Sequence, residues 1–285
     1  MRSVKSVIIF AVACLMFAPS ASRSFVIDKR KPEDIVARHL ASIGTAKARE
    51  SVTTRIISGI SQVIFHTAPI GQAVGKAVLA SEDSKNLIGM SFPSPVYPRE
   101  QLSFNGESFV AAFVTPGVRS PLGAFLMTHN LIFKEGLMGG ALSSSWPLWD
   151  AKRSPKLEYV GTKKINSQPF EELRYVPHGS SDLKVSLFFD PETFRHVRTE
   201  YERTIAAQTG DRSYVAGVTR EVRYKMVEEF SDFKPESGLT LPHLYKINLF
   251  VDSPNGTSQT EWILKLAQFT FNDKIDPSSF NISGN

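Results

Sequence analysis

The chain has 285 residues, of which 42% are hydrophobic and 21% are charged, with a formal net charge of +5. Its only cysteine, Cys14, lies near the N-terminus in a segment typical of a signal peptide. A processed chain would therefore hold no disulfide, catalytic thiolate, cysteine-ligated zinc or iron–sulfur cluster. The remaining residues, about 263 of them, are enough for one large β-domain with its own core.

The N-terminus predicts export. Arg2 and Lys5 precede an apolar run from Val7 to Phe17, and small residues follow up to Ser22. The run is shorter than the roughly 20 apolar residues that a membrane-spanning helix needs. We expect residues 1–22 to be a cleaved signal peptide and the protein to be periplasmic or secreted, a location in which nucleic acid is not an expected partner.

Cys14 leaves a second interpretation open. It follows Ala11, Val12 and Ala13, a loose match to a bacterial lipoprotein processing site, but the leucine that usually stands three residues before such a cysteine is absent. The apolar run also continues beyond Cys14. An ordinary signal-peptide cysteine is the favoured interpretation, and lipid anchoring at Cys14 is the alternative.

A short arm, residues 23–32, is expected to precede a helix over Glu33–Ile43, whose apolar residues form one stripe. From Val52 the hydrophobic period changes to two, which predicts a long strand. Ile56, Ile60 and neighbours lie on one face of it and Ile57 and neighbours on the other, so this strand is expected to be covered on both sides.

The chain then continues as consecutive β-hairpins without βαβ alternation. Asn105-Gly106 is the strongest turn signal, because two-residue hairpin turns favour that pair. The strands predicted after the first are residues 72–81, 85–92, 101–104, 107–114, 157–165, 170–176, 183–189, 194–204, 221–230, 244–251 and 260–271. A helix over residues 72–80 is the alternative for the first of these.

One apolar segment, at about residues 119–142, interrupts the hairpin series. Ser120-Pro121 is a favourable helix start, and apolar residues follow at helical spacing. This insert is either a helix that plugs the open side of a curved sheet or a lid that moves to admit an acyl chain. The sequence does not separate these two possibilities.

Motifs for covalent chemistry are absent from the sequence. It contains no Gly-x-Ser-x-Gly elbow, His-Glu-x-x-His, phosphate-binding glycine loop or dinucleotide fingerprint, and its six histidines show no metal-ligand spacing. We therefore expect a protein that is not an enzyme and that uses no cofactor or metal.

Aromatic content is the most pronounced feature of the composition, with 20 phenylalanines. Strand alternation places apolar residues in pairs on common faces, namely Phe109 with Phe113, Leu187 with Phe189, and Trp262 with Leu264. A large core and an acyl-chain cavity would use the same residues, so composition leaves both possibilities open.

Turn and strand-end motifs in the C-terminal half carry a family resemblance. They are Asp190-Pro191-Glu192-Thr193, Phe230-Ser231-Asp232-Phe233, Gly238-Leu239-Thr240-Leu241-Pro242, and Phe271-Asn272-Asp273-Lys274-Ile275-Asp276-Pro277. With these motifs the chain resembles the LolA/LolB-like family of periplasmic lipoprotein-sorting proteins over residues 31–282. The resemblance implies a mainly β (α+β) fold, in which one strongly curved antiparallel sheet forms an unclosed half-barrel covered by helices. The corresponding domain would span residues 33–282.

The resemblance also implies a function. We expect a carrier that shelters lipid or lipoprotein acyl chains in an apolar cavity under a helical lid, as a monomer, with a membrane-bound donor or acceptor protein as a further candidate partner. An exported interaction scaffold or lipid-responsive sensor with the same fold is the alternative. The residues expected to line the cavity and lid are Phe109, Phe113, Leu122, Phe125, Leu126, Phe133, Leu137, Trp146, Leu187, Phe189, Trp262 and Leu264.

Overall fold

The computed structural model describes residues 30–67, 69–149, 153, 155–179, 181–206 and 221–284. The predicted signal peptide, Cys14 and most of the predicted arm lie outside the described residues. No helix in the described part of the chain has the length and apolar character needed to cross a membrane.

In the described residues, twelve antiparallel strands and four α-helices build the fold. The helices are α1 (Pro32–Ile43), α2 (Ala46–Glu50), α3 (Pro121–Thr128) and α4 (Leu131–Lys134). The strands are β1 (Thr54–Phe65), β2 (Gly71–Glu82), β3 (Lys85–Ser91), β4 (Arg99–Phe104), β5 (Phe109–Ala111), β6 (Lys156–Ile165), β7 (Gln168–Val176), β8 (Lys184–Phe189), β9 (His196–Ile205), β10 (Val222–Glu236), β11 (Leu239–Ser253) and β12 (Gly256–Phe271).

All twelve strands form one sheet in the order β5-β4-β3-β2-β1-β12-β11-β10-β9-β8-β7-β6. The first strand pairs with the last at its centre, and the described strands β5 and β6 are its two unjoined edges. The sheet is therefore open, with the helices against one face. The half-barrel that the resemblance implied is confirmed.

Local turn chemistry explains why the hairpins form where they do. Asn166 and Ser167 both have positive φ between β6 and β7, as a two-residue type I′ turn requires. Ser237 and Gly238 repeat this conformation between β10 and β11. These turns match the right-handed twist of the flanking strands and so hold the register of the long hairpins.

Several predicted strand limits need correction. The strand predicted over residues 107–114 is shorter, because only Phe109–Ala111 pairs with β4. The strands predicted over residues 221–230 and 244–251 are longer and meet directly at the Ser237–Gly238 turn. Residues 72–80 form a strand, so the helical alternative there is wrong.

The outer face of the sheet is covered only in part. Ile275 and Phe280, in the C-terminal segment, pack over Ile56 and so cover the N-terminal end of β1. Ile60, further along the same face, is 55% exposed. The expectation that β1 is covered on both sides is therefore right at Ile56 and wrong at Ile60.

The C-terminal segment should add measurable stability through Phe280, which is almost completely buried. We expect Phe280→Ala to lower the free energy of unfolding by about 3–4 kcal/mol, because it removes a buried ring and leaves a cavity. Urea denaturation followed by tryptophan fluorescence measures this change. Phe250→Ala, at an outer-face position that is 37% exposed, is the control and should lower it by less than about 1 kcal/mol. Equal losses for the two variants would contradict a packing role for this segment.

Candidate functional site

Eleven of the twelve residues predicted to line a lipid cavity lie in one continuous core. Each of them is at most 7% exposed, and sheet residues such as Leu187, Trp262 and Leu264 belong to the same hydrophobic cluster as Leu122, Phe133 and Trp146. From here on, "the insert" means residues 112–149, between β5 and the segment that leads into β6. It contains the apolar segment that was predicted at about residues 119–142. The sequence therefore identified the inner face of the half-barrel.

Phe113 is the exception. The chain leaves the β-conformation after Ala111, so the alternation that placed Phe113 beside Phe109 no longer applies. Its ring lies under the Arg119 guanidinium at 4.3 Å, at one end of the sheet and outside the core. The prediction that Phe113 lines the inner face is wrong.

The insert fills the inner face at the predicted positions. Phe133 of α4 lies 4.5 Å from Phe109 between ring centroids, and Trp146 stacks on His196 at 4.8 Å. The sheet residues and the insert residues thus pack against each other. The expectation of an apolar cavity between these two sets needs correction, because side chains occupy that space.

The second half of the insert, residues 135–149, is called the plug. Its centre is bound by a buried carboxylate, since Glu228 on β10 accepts a hydrogen bond of 2.8 Å from the backbone N–H of Gly139. Tyr201 and Tyr245 donate their hydroxyl groups to the same carboxylate at 2.7 and 2.5 Å. Burial raises the pKa of Glu228 to about 6, while these hydrogen bonds act in the opposite direction.

Further polar side chains bind the plug from other strands. Arg55 on β1 donates to the carbonyl oxygen of Ala141 at 3.0 Å, and Asn86 on β3 donates to that of Met138 at 3.2 Å. Tyr175 on β7, near the β6 edge of the sheet, donates to Glu135 at 2.6 Å. Removing the plug would leave these buried donors and acceptors without partners, which costs about 1–3 kcal/mol for each group.

α3, in the first half of the insert, is held differently. Ser120 caps its N-terminus by accepting the N–H of Gly123 at 2.8 Å, and Leu122 and Leu126 are fully buried against the core. The helix carries no charged residue. Apolar packing therefore supplies most of its attachment to the sheet.

An open groove of about 310 Å³, here called the α3 groove, runs along the other side of this helix. Its roof is the helical face formed by Pro121, Ala124, Phe125 and Thr128, followed by His129. These positions follow the three- and four-residue spacing of one helix face.

The floor of the α3 groove is a single row of residues across four neighbouring strands. Arg203 on β9, Tyr224 on β10, Val251 on β11 and Ser258 on β12 are direct cross-strand partners. Phe125 stacks on Tyr224 at 5.8 Å, and the Arg203 guanidinium pairs with Asp182 at 2.6 Å at the polar end. The arrangement is a slot with mixed apolar and polar walls and one charged end.

A buried polar cluster lies beside the start of α3. Trp262 donates its indole N–H to the Tyr97 hydroxyl at 2.9 Å, and Tyr97 donates to the carboxylate of Glu100. Burial raises the pKa of Glu100 to about 7, although the hydroxyl groups of Ser120 and Tyr97 act in the opposite direction. The polar cluster beside the start of α3 therefore contains a carboxyl group, that of Glu100, whose pKa lies near 7.

Two histidines that are far apart in sequence meet behind the plug. His39 of α1 and His196 of β9 have ring centroids 6.1 Å apart, and Trp146 donates its N–H to His39 at 3.4 Å. Burial lowers the pKa of His39 to about 4, so it stays neutral near pH 7 and accepts this hydrogen bond. Among the described residues, no group of three or more histidine, aspartate or glutamate side chains could hold a metal ion.

Sequence reasoning missed the residues that bind the plug, although a signal for them existed. The residues in question lie on the inner face of their strands, each two positions from a core residue on the same face. They are Arg55 beside Ile57, Asn86 beside Ile88, and Glu228 beside Met226. A polar residue at such a position must find a buried partner. The sequence could have marked these three residues, but it could not identify their partners on the insert.

No family model and no curated protein matches the chain. Solved structures do match it. They include a domain described as an outer membrane lipoprotein-sorting protein from Vibrio parahaemolyticus (12% identity), a LolA superfamily protein from Nitrosomonas europaea (12%) and a DUF1329 family protein from Desulfovibrio piger (9%), each with a TM-score of 0.43. The matches cover 87%, 86% and 87% of this chain and 95%, 96% and 96% of those chains.

The buried carboxyl group of Glu100 predicts a pH-dependent stability. Its folded pKa of about 7 lies above its ordinary value of 4.5, so the unfolded chain loses the proton at a lower pH than the folded chain. Relative to Glu100→Gln, the free energy of unfolding of the wild type should therefore fall as pH rises from 4.5 to 7, by about 3 kcal/mol in all.

Urea denaturation at a series of pH values measures this difference. Exposed Glu50→Gln is the matched control and should follow the wild-type curve. A Glu100→Gln curve that stays parallel to the wild-type curve across this range would show that Glu100 does not titrate as its burial requires.

Proposed function

We propose that the protein is an exported lipid carrier that shelters an acyl chain in the α3 groove and performs no covalent chemistry. The observation that carries the proposal is the uncharged face of α3 opposite the cross-strand row of Tyr224, Val251 and Ser258. An acyl chain in this groove would contact carbon on both sides, and each methylene removed from water contributes about 0.8 kcal/mol. The groove volume of about 310 Å³ lies at the lower end for small-molecule sites and suits a single chain.

A longer chain would be accommodated by movement of α3. The core-facing residues of this helix, Leu122 and Leu126, make apolar contacts that acyl methylenes can replace. Ser120 caps the helix within its own segment, and its hydroxyl group is also hydrogen-bonded to the buried carboxyl group of Glu100. Exchange of α3 for lipid would therefore break few polar contacts, among them this hydrogen bond to Glu100.

The plug is expected to stay in place in this carrier. Its bonds to Glu228, Arg55 and Asn86 have no replacement in an acyl chain, which offers neither donors nor acceptors. The lid predicted at about residues 119–142 is thus narrowed to α3. The chain would be held at the end of the half-barrel and not along the whole inner face.

The charged end of the groove suits a lipid with an anionic or polar head. Arg203 and His129 lie there, 3.4 Å apart, and Arg203 is held in position by Asp182. The N-terminal signal supports loading and delivery in the periplasm or outside the cell. A membrane-bound donor or acceptor protein fits this role as a partner.

An exported interaction scaffold is the second candidate. The filled inner face supports it, because side chains occupy the space that a larger carrier would keep for cargo. The two functions differ in whether the α3 groove takes up lipid.

Uptake of a fluorescent fatty acyl probe tests the proposal. We expect the protein to bind the probe and Val251→Trp to weaken binding at least about tenfold, since an indole at the centre of the floor fills the slot and removes the contacts of several methylenes. Fluorescence titration measures the dissociation constants.

Val74→Trp is the matched control, because Val74 is an exposed strand residue on the outer face. It should bind the probe like the wild type. Lipid extraction and mass spectrometry of the natively purified protein give a second measurement. Absence of a co-purifying lipid together with absence of probe uptake would exclude the carrier and leave the scaffold.

A further inference from the structure

Large apolar side chains are unusually exposed at one end of the sheet. Ile70 is 80% exposed and Val96 is 77% exposed, the two highest values among the large hydrophobic residues that the structure describes. Val118, in a third loop, is 54% exposed. Three exposed apolar tips in separate loops need an explanation, because most of the other apolar residues of this chain are buried.

The three loops lie together. Strand pairing places three loops at the same end of the sheet, where β1, β3 and β5 end; they contain residues 66–67 and 69–70, 92–98, and 112–119. Phe65, beside the first loop, contacts Tyr97 of the second at 5.3 Å between ring centroids. The second and third loops form the two sides of an open groove of about 720 Å³, which includes Phe113. We call these three loops the apolar rim.

The charge of the apolar rim has one sign. Its three loops contain no aspartate or glutamate, and Arg119 supplies a positive charge. Arg99 lies at the start of β4 and lines the groove between the loops. An apolar surface flanked by arginines complements an anionic surface.

The loops are also stiff. They contain five prolines, Pro69, Pro93, Pro95, Pro98 and Pro116. Val114 donates its backbone N–H to the Val118 carbonyl oxygen at 2.8 Å, and Val118 donates to that of Thr115 at 2.9 Å, which closes a tight turn. Phe92 donates to the Pro98 carbonyl oxygen at 2.8 Å. Little conformational entropy would therefore be lost when the tips enter another phase.

We propose that the apolar rim docks on the surface of an anionic phospholipid bilayer. Ile70, Val96 and Val118 would insert among the acyl chains near the headgroups, with Arg99 and Arg119 facing lipid phosphates. This inference rests on the proposed function in one respect, which is that the bilayer is the source or the destination of the acyl chain. The α3 groove supports the link, because its floor residue Val251 lies near the same end of β11, so docking brings its mouth towards the lipid.

The arrangement favours a bilayer over a protein partner. The apolar residues are separate loop tips, whereas a protein interface usually presents a contiguous surface of about 800 Å² with many directional hydrogen bonds. A bilayer needs only apolar insertion and phosphate contacts, both of which the apolar rim offers.

Vesicle co-sedimentation tests the proposal. The probe is a set of vesicles of phosphatidylethanolamine with phosphatidylglycerol, and all proteins carry Cys14→Ser so that no acyl anchor can form. The rim variant carries Ile70→Ser, Val96→Ser and Val118→Ser. The control carries Ile60→Ser, Val74→Ser and Val78→Ser, three apolar residues of the outer face that are 55%, 55% and 36% exposed. Both variants replace one isoleucine and two valines by serine, and urea denaturation checks that both remain folded.

We expect the wild type and the control to bind and the rim variant to bind at least about tenfold more weakly, since three inserted side chains are lost. Vesicles of phosphatidylcholine alone should bind the wild type more weakly than the anionic vesicles. Absence of wild-type binding, equal losses in both variants, or a rim variant that binds like the wild type would overturn the proposal.

Uptake of a soluble acyl probe, measured without vesicles, separates this inference from the proposed function. The rim variant should keep that uptake, because its substitutions lie outside the α3 groove. Normal uptake without vesicle binding would reject the apolar rim alone. Vesicle binding without uptake would reject the carrier function while retaining the docking surface.

Discussion

The hydrogen bond from Gly139 to the buried carboxylate of Glu228 is the constraint on which the arrangement of the inner face depends. A carboxylate at that position would be costly to bury without donors, and Tyr201, Tyr245 and Gly139 supply three of them. Two of those donors come from the sheet and one from the plug. The plug must therefore lie at a fixed place on β10, and the buried aromatic residues around it follow from that placement.

This constraint divides the insert into a half that is held by polar contacts and a half that is held mainly by apolar packing. The plug completes the core of a twelve-stranded open sheet, whose inner face would otherwise expose a wide apolar surface to water. α3 adds apolar contacts but few polar ones, so the free energy that holds it resembles the free energy with which an acyl chain would bind. The proposed carrier would replace the apolar contacts of α3 by those of an acyl chain at one end of the sheet and would keep its fold elsewhere.

Sequence patterns predicted the elements whose signals are local. The strands over residues 157–165 and 170–176, the Ser120-Pro121 helix start and the common face of Trp262 and Leu264 each depend on neighbouring residues, and the structure confirms all three. The errors arose where distant contacts decide. The strands predicted over residues 221–230 and 244–251 stopped short of Pro235 and Pro242, which lie opposite Thr240 and Phe233 in the long β10–β11 hairpin. Phe113 follows a strand that ends two residues earlier. The filling of the inner face could not be predicted, because it depends on which residues of the insert meet which strands.

α3 and the plug contact different parts of β10, at Tyr224 and at Glu228. Tyr224 is four residues from Glu228 on β10, so the floor of the α3 groove lies about 13 Å from the carboxylate that fixes the plug. α3 has eight residues and spans about 12 Å, which matches that interval. A helix of this length is not stable alone in water, since nucleation outweighs the few hydrogen bonds that it forms. Release of α3 would therefore be unfavourable unless its apolar side chains met another apolar phase, and this requirement would couple opening of the groove to the presence of lipid.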